Sequence, residues 1–406
     1  MPGLTTVETV CVDREATGYA TFQSHNQKVV SNRNGLFMAY LRSRNEAYTA
    51  QQWRLVRSTD GGKHWTTLYE ATHATNPPAL ETDAQGNLYL VRPDFLDGHA
   101  YLYRFHAASG YREPLVSRIA NGAAGKFALC LDPIRRQLYY FAHNDTFHVV
   151  GLDGSVRRSY RILQPGTHAI LQYPHLSLDR DGTLYAAWTT QKHGVYLYWD
   201  IHYMRSRDGG QSWQKLDGTS LSLPVVADNT GPAEGIIRED EYPVHTWLSS
   251  FLVRAGKLHF VYQAWTQPAR QYYLRYDLAT GQREVEHSPE WGGETIRVAG
   301  LDGFLASSAA APNAPLYVVH NQNGRIACLV SHDHGVTWRD HALSRQRFGP
   351  YAISGCREIT ADGYLIGAFT DRGASTDDIL ARCPVYFIKI RTHLSGAGPA
   401  AEAGQR

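Results

Sequence analysis

A chain of 406 residues is long enough for two or three average domains, but no segment has the composition of a linker, so we expect one large domain. The 40 Lys and Arg residues nearly balance the 38 Asp and Glu residues, and no basic run occurs, which excludes an ordinary nucleic-acid-binding surface. Frequent Gly, 12% aromatic residues and the lack of long helical-period apolar stripes favour short strands joined by turns.

Targeting signals and cysteines set the expected compartment. No stretch approaches the apolar length that spans a bilayer, and residues 1–15 lack the basic segment and apolar core of a secretory signal. The 5 cysteines are scattered, without paired spacing, which favours reduced thiols. We therefore expect a cytoplasmic protein that makes no membrane contact; secretion requires that a signal peptide has been removed.

The first element in chain order is the segment TTVETVCVD (5–13), which alternates like a strand and has no hairpin partner of its own. After it, one pattern recurs: a turn, a small or polar residue, Leu, and an aromatic or aliphatic residue. Its copies lie at residues 34–37, 86–89, 136–139, 182–185, 256–259, 314–317 and 363–366. Each copy has an apolar run on both sides, which predicts a hairpin of two inner strands.

The spacing of these hairpins predicts the architecture. Most copies lie about 50 residues apart, the period of a four-stranded propeller blade. The longest interval contains DNTGPAEGIIREDEYPVH (228–245), which we interpret as an inserted loop. After Leu365 only one further strand, PVYFIKIRTH, is available, so we predict that the N-terminal strand completes the last blade. The prediction is an all-β, seven-bladed propeller over residues 1–394, with a disordered tail at 395–406.

A second motif, Ser-x-Asp-x-Gly-x-x-Trp, follows three of the hairpins. Its copies begin at Ser58, Ser206 and Ser331. Asp accepts bonds from backbone amides in such a tight turn, Gly supplies the permissive backbone, and Trp packs into the blade, so we predict a structural role. These copies resemble the Asp-boxes of sialidases and other BNR-repeat propellers, and the resemblance covers nearly the whole chain.

Polar residues at one end of the inner strands are the candidates for a site, because strand direction alternates within a blade and the Asp-box turns then lie on the other face. His, Tyr and Arg dominate this set and suit proton transfer and carboxylate binding. Those at the start of the first strands are His25, Asn76, Lys126, Tyr173, His175, Tyr242, His245 and Tyr351. Those after the second strands are Arg42, Arg92, His143, His193, Arg270, His320 and Arg372.

Three functions fit such a propeller: a sialidase-like exo-hydrolase, a lyase acting on uronates, and a sugar-binding module without catalysis. The sialidase resemblance implies three arginines for the substrate carboxylate and a Tyr nucleophile paired with Glu. The candidates for these roles are Arg42, Arg92, Arg372, Tyr351 and Glu358. The Arg-Ile-Pro segment typical of the first sialidase blade is absent, which weakens this alternative.

The chain also resembles the BNR-repeat polysaccharide lyases, including ulvan lyases and rhamnosyl-glucuronate lyases, in which His and Tyr transfer protons and Arg or His binds the carboxylate. The resemblance implies His175 and Tyr242 as the proton-transfer residues, with His245 as the alternative base. It assigns the carboxylate to His193 and Arg270, with Arg254 as an alternative to Arg270. His25, Arg42, Arg92 and Tyr351 are further candidates for substrate binding.

We therefore predict a lyase that cleaves an acidic, uronate-containing oligosaccharide or polysaccharide by β-elimination. No cofactor is predicted, and no cluster has the spacing of a metal site, although a lone structural cation stays open. The sequence leaves the identity of the sugar, endo against exo cleavage, and the oligomeric state undetermined.

Overall fold

The computed structural model describes residues 3–43, 51–72, 74, 76–296, 303–309, 313–373 and 378–392. The predicted tail at 395–406 lies outside these residues. The all-β prediction is confirmed, since the only helices in the described ranges are two 3-10 turns, at Ala107–Ser109 and Glu239–Glu241. No helix in this part of the chain is long and apolar enough to cross a membrane.

The first half of the chain forms antiparallel meanders of four strands. In chain order the strands are β1 (Thr5–Thr17), β2 (Val29–Asn32), β3 (Gly35–Ser43), β4 (Gln51–Ser58), β5 (Thr66–Thr72), β6 (Ala79–Thr82), β7 (Leu88–Asp94), β8 (His99–Phe105), β9 (Leu115–Ile119), β10 (Phe127–Asp132), β11 (Gln137–Ala142), β12 (Thr146–Gly151) and β13 (Val156–Arg161). Sheet 1 is β2 to β5, sheet 2 is β6 to β9 and sheet 3 is β10 to β13, with each strand antiparallel to the next.

The second half repeats the pattern and adds short strands in its connections. These strands are β14 (Leu163–Gln164), β15 (Ala169–Leu178), β16 (Leu184–Lys192), β17 (Tyr198–Ser206), β18 (Trp213–Gln214), β19 (Ser220–Leu221), β20 (Val225–Val226), β21 (Glu234–Gly235), β22 (Thr246–Arg254), β23 (Lys257–Ala264), β24 (Arg270–Asp277), β25 (Arg283–His287), β26 (Glu290–Trp291), β27 (Glu294–Thr295), β28 (Gly303–Ala306), β29 (Leu316–Gln322), β30 (Arg325–Ser331), β31 (Arg339–Ser344), β32 (Pro350–Gly355), β33 (Tyr364–Asp371) and β34 (Arg382–Arg391). Sheet 4 is β15 to β18, sheet 5 is β22 to β25, sheet 6 is β28 to β31, and sheet 7 is β32 to β34.

The N-terminal strand joins the last part of the chain. β1 runs antiparallel to β34, from the pair Glu8 and Lys389 to the pair Thr17 and Arg382. Its first residues, from Thr5 onward, also pair in parallel with β31. The interval predicted as an inserted loop is partly ordered: β21 pairs with β17, and the second 3-10 turn follows it.

Apolar side chains are buried between successive sheets. One cluster holds residues of sheets 1 and 2, such as Leu41 and Leu90, and further clusters join each later pair of neighbours. A last cluster packs residues of sheet 7, such as Phe387, against Met38 of sheet 1. Sheets 2 to 6 are therefore each packed between the sheet before and the sheet after, and sheet 7 also contacts sheet 1 through this last cluster.

The Asp-box turns lie between the third and fourth strands of their sheets, at the end of the sheet opposite the start of the first strand. The Asp208 carboxylate accepts hydrogen bonds from the Ser206 hydroxyl at 2.8 Å and from the Gln211 and Ser212 amides at 2.9 and 3.0 Å. The Gly210 amide donates to the Ser206 hydroxyl at 2.8 Å. Asp208 therefore satisfies the backbone of its own turn and faces away from the candidate site.

Candidate active site

A cavity of about 580 Å³ opens where the first strands of the sheets begin. Six of the residues predicted from the strand starts line it: His25, Asn76, Lys126, Tyr173, His245 and Tyr351. The rest of the lining is Tyr19, Phe22, Gly125, Tyr196, Tyr198, Trp247, Leu248, Trp265 and Ile379. None of these described lining residues is Asp or Glu, so the cavity is cationic and aromatic.

Two histidines from different sheets stack beside the cavity. The rings of His25 and His175 lie 4.4 Å apart between centroids. His175 is the seventh residue of β15 and does not lie before an inner strand as predicted, because β15 extends further toward the cavity. It is buried behind His25, and its Nε2 atom has no hydrogen-bond partner among the described residues.

The hydrogen bonds of His25 fix its tautomer. Its Nε2 atom lies 2.9 Å from the Phe127 carbonyl oxygen, and a carbonyl only accepts, so Nε2 carries the proton and Nδ1 keeps a lone pair. Burial lowers the pKa of His25 to about 3, and the charges of Lys28 and Arg357 act in the same direction. His25 is therefore neutral at physiological pH and able to accept a proton through Nδ1.

His245 is the same Nε2-protonated tautomer as His25, but its Nδ1 atom is the one that the protein occupies. Its Nδ1 atom accepts a hydrogen bond from the Tyr198 amide at 3.1 Å, so the neutral ring carries its proton on Nε2. Burial lowers the pKa of His245, which keeps this neutral form at pH 7. The Tyr198 hydroxyl lies 2.7 Å from that of Tyr196 and 3.4 Å from that of Tyr173, and burial raises its pKa. His245 and Tyr198 therefore present protons to the cavity.

Lys126 is the cationic side chain of the described lining. It directly precedes β10, and its ammonium lies 5.4 Å from the centroid of the Tyr173 ring. No acidic group lies within ion-pair distance of it among the described residues, and burial lowers its pKa. An ammonium that is half-buried without an acidic partner favours an anionic ligand.

Arg357 lies behind the histidine pair. Its guanidinium pairs with Glu81 at 2.6 Å and donates to the Leu176 carbonyl oxygen at 3.0 Å, which joins sheets 7, 2 and 4. It lines a second cavity, of about 390 Å³, which also includes the turn residue Asp179. Arg357 therefore fixes the position of β15 through a carbonyl oxygen of that strand, next to His175 in the chain.

Besides His175, three residues predicted for proton transfer or carboxylate binding lie outside the cavity lining. The ring of Tyr242 packs against Trp199, 5.0 Å between centroids, in the inserted segment. His193 is exposed, and its Nε2 atom lies 2.9 Å from the Gly166 carbonyl oxygen. Arg270 is exposed and donates to the Tyr272 hydroxyl at 3.3 Å. The structure thus separates these three from His25, His245 and Lys126.

The residues considered for a sialidase-like site are dispersed. Arg42 pairs with Asp13 at 3.0 Å, which belongs to β1. Arg92 pairs with Asp94 at 2.9 Å, at the end of its own strand. Glu358 pairs with Arg254 and lines the second cavity. Tyr351 alone lines the site cavity, with the Arg372 guanidinium 4.2 Å from its ring centroid.

Comparisons with known proteins support the fold. Residues 136–282 match the model of a BNR repeat-containing family. Two structures of the PL25 ulvan lyase superpose with TM-scores of 0.64 and 0.65 at 12% identity, covering 94% of this chain and 95% of theirs. The fold is a BNR-repeat propeller resembling polysaccharide lyases. One of those two structures holds the saccharide GlcA(1-4)Rha3S.

Two further structures resemble the propeller. The polysaccharide lyase Uly1 superposes with a TM-score of 0.60 at 11% identity, covering 96% of this chain and 100% of its own. The α-L-arabinanase of Penicillium chrysogenum, complexed with arabinobiose, superposes with a TM-score of 0.50 at 13% identity, covering 96% and 98%. No curated protein matches the sequence.

The described part of the propeller contains no group of three or more His, Cys, Asp or Glu side chains placed to hold a metal ion.

Sequence reasoning missed the aromatic side of the cavity, formed by Tyr196, Tyr198, Trp247 and Trp265. Tyr196 and Trp265 lie in loops between the second and third strands of their sheets. Loops have no regular alternation of apolar and polar residues, so an aromatic residue there does not stand out in the sequence. The signal available was their position directly after a second strand, the same position that singled out the arginines.

Proposed function

We propose that the protein is a carbohydrate lyase that cleaves uronate-containing oligosaccharides by β-elimination. The observation that carries the proposal is the composition of the cavity, where a lysine, two histidines and several tyrosines meet without a carboxylate among the described residues. Most glycoside hydrolases need a pair of carboxyl groups on either side of the scissile bond. Elimination from a uronate needs a cation, a base and an acid, and His, Tyr and Lys supply all three.

The solved structures support the choice of substrate class. The likeness in fold to polysaccharide lyases extends over nearly the whole chain, and one of them binds a saccharide that contains glucuronate. An acidic sugar also fits the charge of the cavity, since Lys126 has no acidic partner there. Both arguments favour a uronate over a neutral glycoside.

In the proposed reaction, Lys126 neutralises the substrate carboxylate. Neutralisation lowers the pKa of the C5 proton, because the negative charge that develops as this proton leaves spreads onto the carboxylate. Asn76 lines the same side of the cavity and offers an amide donor to the second carboxylate oxygen. Lys126 acts only when protonated, which ties the rate to its pKa.

His25 and Tyr198 divide the proton transfer. His25 takes the C5 proton through Nδ1, the electron pair forms the C4–C5 double bond, and the bond from C4 to the glycosidic oxygen breaks. The departing oxygen takes the proton of the Tyr198 hydroxyl, and the neutral ring of His245 stabilises that oxygen with a hydrogen bond from its Nε2–H. A bound carboxylate raises the pKa of a neighbouring imidazole, so His25 becomes a stronger base once the substrate is present.

The residues predicted from sequence keep defined places in this scheme. His175 stacks on His25 and orients it. The roles predicted for Tyr242 in proton transfer and for His193 and Arg270 in binding the carboxylate stay predictions, since these three residues lie outside the cavity lining. If Tyr242 were the base, the reacting sugar would lie against Trp199, and the variants described below separate these alternatives.

The test is incubation with oligosaccharides that contain glucuronate, iduronate or galacturonate, followed by the ultraviolet absorbance of the C4–C5 double bond. We expect the wild type to generate this chromophore, and His25→Ala to lower the rate by a factor of about 10² to 10⁴ while remaining folded. Lys126→Gln should raise KM and lower kcat. Lys63→Gln is the matched control, because Lys63 is exposed in an Asp-box turn on the other face.

Two outcomes would contradict the proposal. New reducing ends without the chromophore would identify a hydrolase, the activity named for the arabinanase neighbour. Binding of uronate oligosaccharides without any cleavage would identify a sugar-binding module.

We also propose that sheets 1 to 7 are the blades of one closed ring within a single domain reaching residue 394, with β1 as the outer strand of the last blade. The pairing of β1 with β34 and the apolar cluster between sheets 7 and 1 support closure. An experimental structure with six or eight blades, or with β1 detached, would contradict it.

A further inference from the structure

A groove on the Asp-box face lies between sheet 7 and sheet 1, and its volume of about 770 Å³ exceeds that of the cavity at the strand starts. One side of this seam groove is formed by the β2–β3 turn and the Asp-box turn of sheet 1. The other side is formed by the β32–β33 turn and by β34. Its charged and aromatic residues are Arg33, Arg57, Glu358, Asp362, Tyr364 and Lys389. None of them takes part in the proposed elimination.

The three cations of the seam groove have no acidic partner among the described residues. The guanidinium groups of Arg33 and Arg57 donate to backbone carbonyl oxygens at 2.6 to 2.9 Å. The Lys389 ammonium lies 3.4 Å from the Gly61 carbonyl oxygen and 3.9 Å from the centroid of the Tyr364 ring. Each cation therefore keeps N–H donors for a ligand.

The carboxylates near these cations do not neutralise them. Glu358 pairs with Arg254 outside the groove. Asp362 accepts a hydrogen bond at 2.6 Å from a hydroxyl group of its own turn. Glu8 is the cross-strand neighbour of Lys389 in the pairing of β1 with β34, but it is exposed and forms no ion pair with that lysine. The groove therefore has an excess of positive charge.

The corresponding position between sheets 5 and 6 is filled by the protein itself. There Arg275 donates to two carbonyl oxygens of the next Asp-box turn, at 3.2 and 2.8 Å, and pairs with Glu284 at 2.9 Å. Lys389 corresponds to Arg275, because each lies on the third strand of its sheet, two residues after an aromatic ring that contacts a glycine of the next Asp-box. These rings are Phe387 and Tyr273. The seam groove is thus open where the other position is closed.

The distribution of the cations favours an extended anionic ligand over a compact anion. Arg33 and Arg57 lie on the sheet 1 side of the groove, and Lys389 lies on the sheet 7 side. A groove of about 770 Å³ is in the size range of sites for ligands much larger than a single phosphate. Hydroxyl and amide side chains such as Thr59 and Asn34 also line it and suit the hydroxyl groups of a sugar. Carboxylates that recur along an acidic oligosaccharide would meet cations on both sides.

We propose that the seam groove is a second, non-catalytic binding site for an acidic oligosaccharide, on the face opposite the cavity in which cleavage occurs. The choice of ligand rests on the proposed lyase function, whereas the charge of the groove does not. A uronate polymer long enough to reach both faces then binds more tightly than a short fragment, because its second segment binds at a high effective concentration.

The experiment is isothermal titration calorimetry with a glucuronate hexasaccharide in a His25→Ala background, which prevents turnover. We expect two binding events for each protein molecule. Lys389→Met removes the ammonium and keeps the alkyl chain on the Tyr364 ring, so it should weaken one event by about tenfold or more and leave the other unchanged. Lys126→Gln should weaken only the other event.

Control variants separate the loss of charge from a disturbance of the fold. Lys63→Met is the matched control, since Lys63 is exposed in the same Asp-box turn but lies outside the groove lining, and it should weaken neither event. Arg33→Gln changes an exposed turn residue and leaves the packing of β34 intact. It should weaken the same event as Lys389→Met. Inorganic sulfate should compete no better than chloride at equal ionic strength.

Several results would overturn the inference. They are no binding, a single event that Lys126→Gln removes, or two events that Lys389→Met and Arg33→Gln leave unchanged. Strong competition by sulfate would identify a simple anion site, and equal affinity for a neutral arabinose hexasaccharide would exclude recognition of charge. Failure of the lyase proposal looks different: the groove binds the glucuronate hexasaccharide, but the wild type generates no double bond.

Discussion

Lys28 provides a sharp test of the electrostatics of this fold. It directly precedes β2, it is 0% exposed, and its ammonium has no hydrogen-bond partner among the described residues. Burial lowers its pKa from 10.5 to about 7. Lys28→Met keeps the length of the side chain and removes the charge, so the variant should be more stable than the wild type at neutral and acidic pH.

The pKa sets the size and the pH range of the effect. At about 1.36 kcal/mol for each pH unit, lowering the pKa from 10.5 to about 7 corresponds to an upper limit of about 5 kcal/mol. Between pH 7 and 10.5 the unfolded chain holds a proton on Lys28 that the folded chain has lost. The stability of the wild type therefore rises with pH across this window. The advantage of Lys28→Met should be full below pH 7 and should disappear by about pH 10.5.

The assay is urea denaturation followed by tryptophan fluorescence at pH 6, 8 and 10. The difference between variant and wild type cancels the titration of all other groups. Lys63→Met is the matched control, since Lys63 is exposed and should show no pH-dependent difference. A Lys28→Met variant that is less stable by the same amount at every pH would refute the reasoning, because it would mean that the ammonium has a favourable partner.

Further predictions concern the site and the turns. Tyr198→Phe should lower the steady-state rate of elimination by a factor of about 10² or more, because it removes the hydroxyl that supplies the proton. Tyr242→Phe should lower the same rate less than tenfold. If Tyr242→Phe lowers the rate more than Tyr198→Phe does, the reacting sugar lies beside Tyr242 and Trp199 instead. The pH profile of kcat/KM should fall at high pH as Lys126 loses its proton, at a pH below 10.5, because burial lowers the pKa of Lys126. Lys126→Arg should move that fall to higher pH, and an unmoved fall would exclude Lys126 as its cause. Asp208→Ala should lower the free energy of unfolding by about 1–3 kcal/mol through its four lost hydrogen bonds, without changing the turnover of the folded enzyme. Loss of turnover at an unchanged melting temperature would contradict its structural role.

The repeated hairpins could be recognised from sequence because their determinants are local. Leu88, Leu184 and Leu258 each begin the second strand of a sheet or lie one residue from its start, and each is 0% exposed. The preceding turn and the apolar run on either side fix that position within a dozen residues of chain. The register between distant segments has no such local signal: the pairing of Cys11 with Tyr386 follows from the packing of the whole chain.

The site was predictable as a region and less so residue by residue. The rule that first strands begin on one face brought together His25, Lys126 and His245. It could not rank Tyr242 against Tyr198, because side-chain direction depends on irregularities that a sequence does not display. The pairing of β16 with β17 shifts register between Thr189 and Gln191, opposite the stretch of β17 from Tyr198 to Ile201, and such a bulge re-aims the side chains beside it.

The partnership of β1 with β34 also dictates an order of events during synthesis. β1 leaves the ribosome before the other described strands, but its main antiparallel partner is the last of them, and its parallel partner β31 precedes that strand by only one sheet. At about 5–20 residues per second, the edge of β1 that pairs with β34 waits on the order of tens of seconds for its partner. Pairing of the first described strand with the last is then a late step of folding, and a chaperone that shields a bare strand would act on this edge of β1 until that moment.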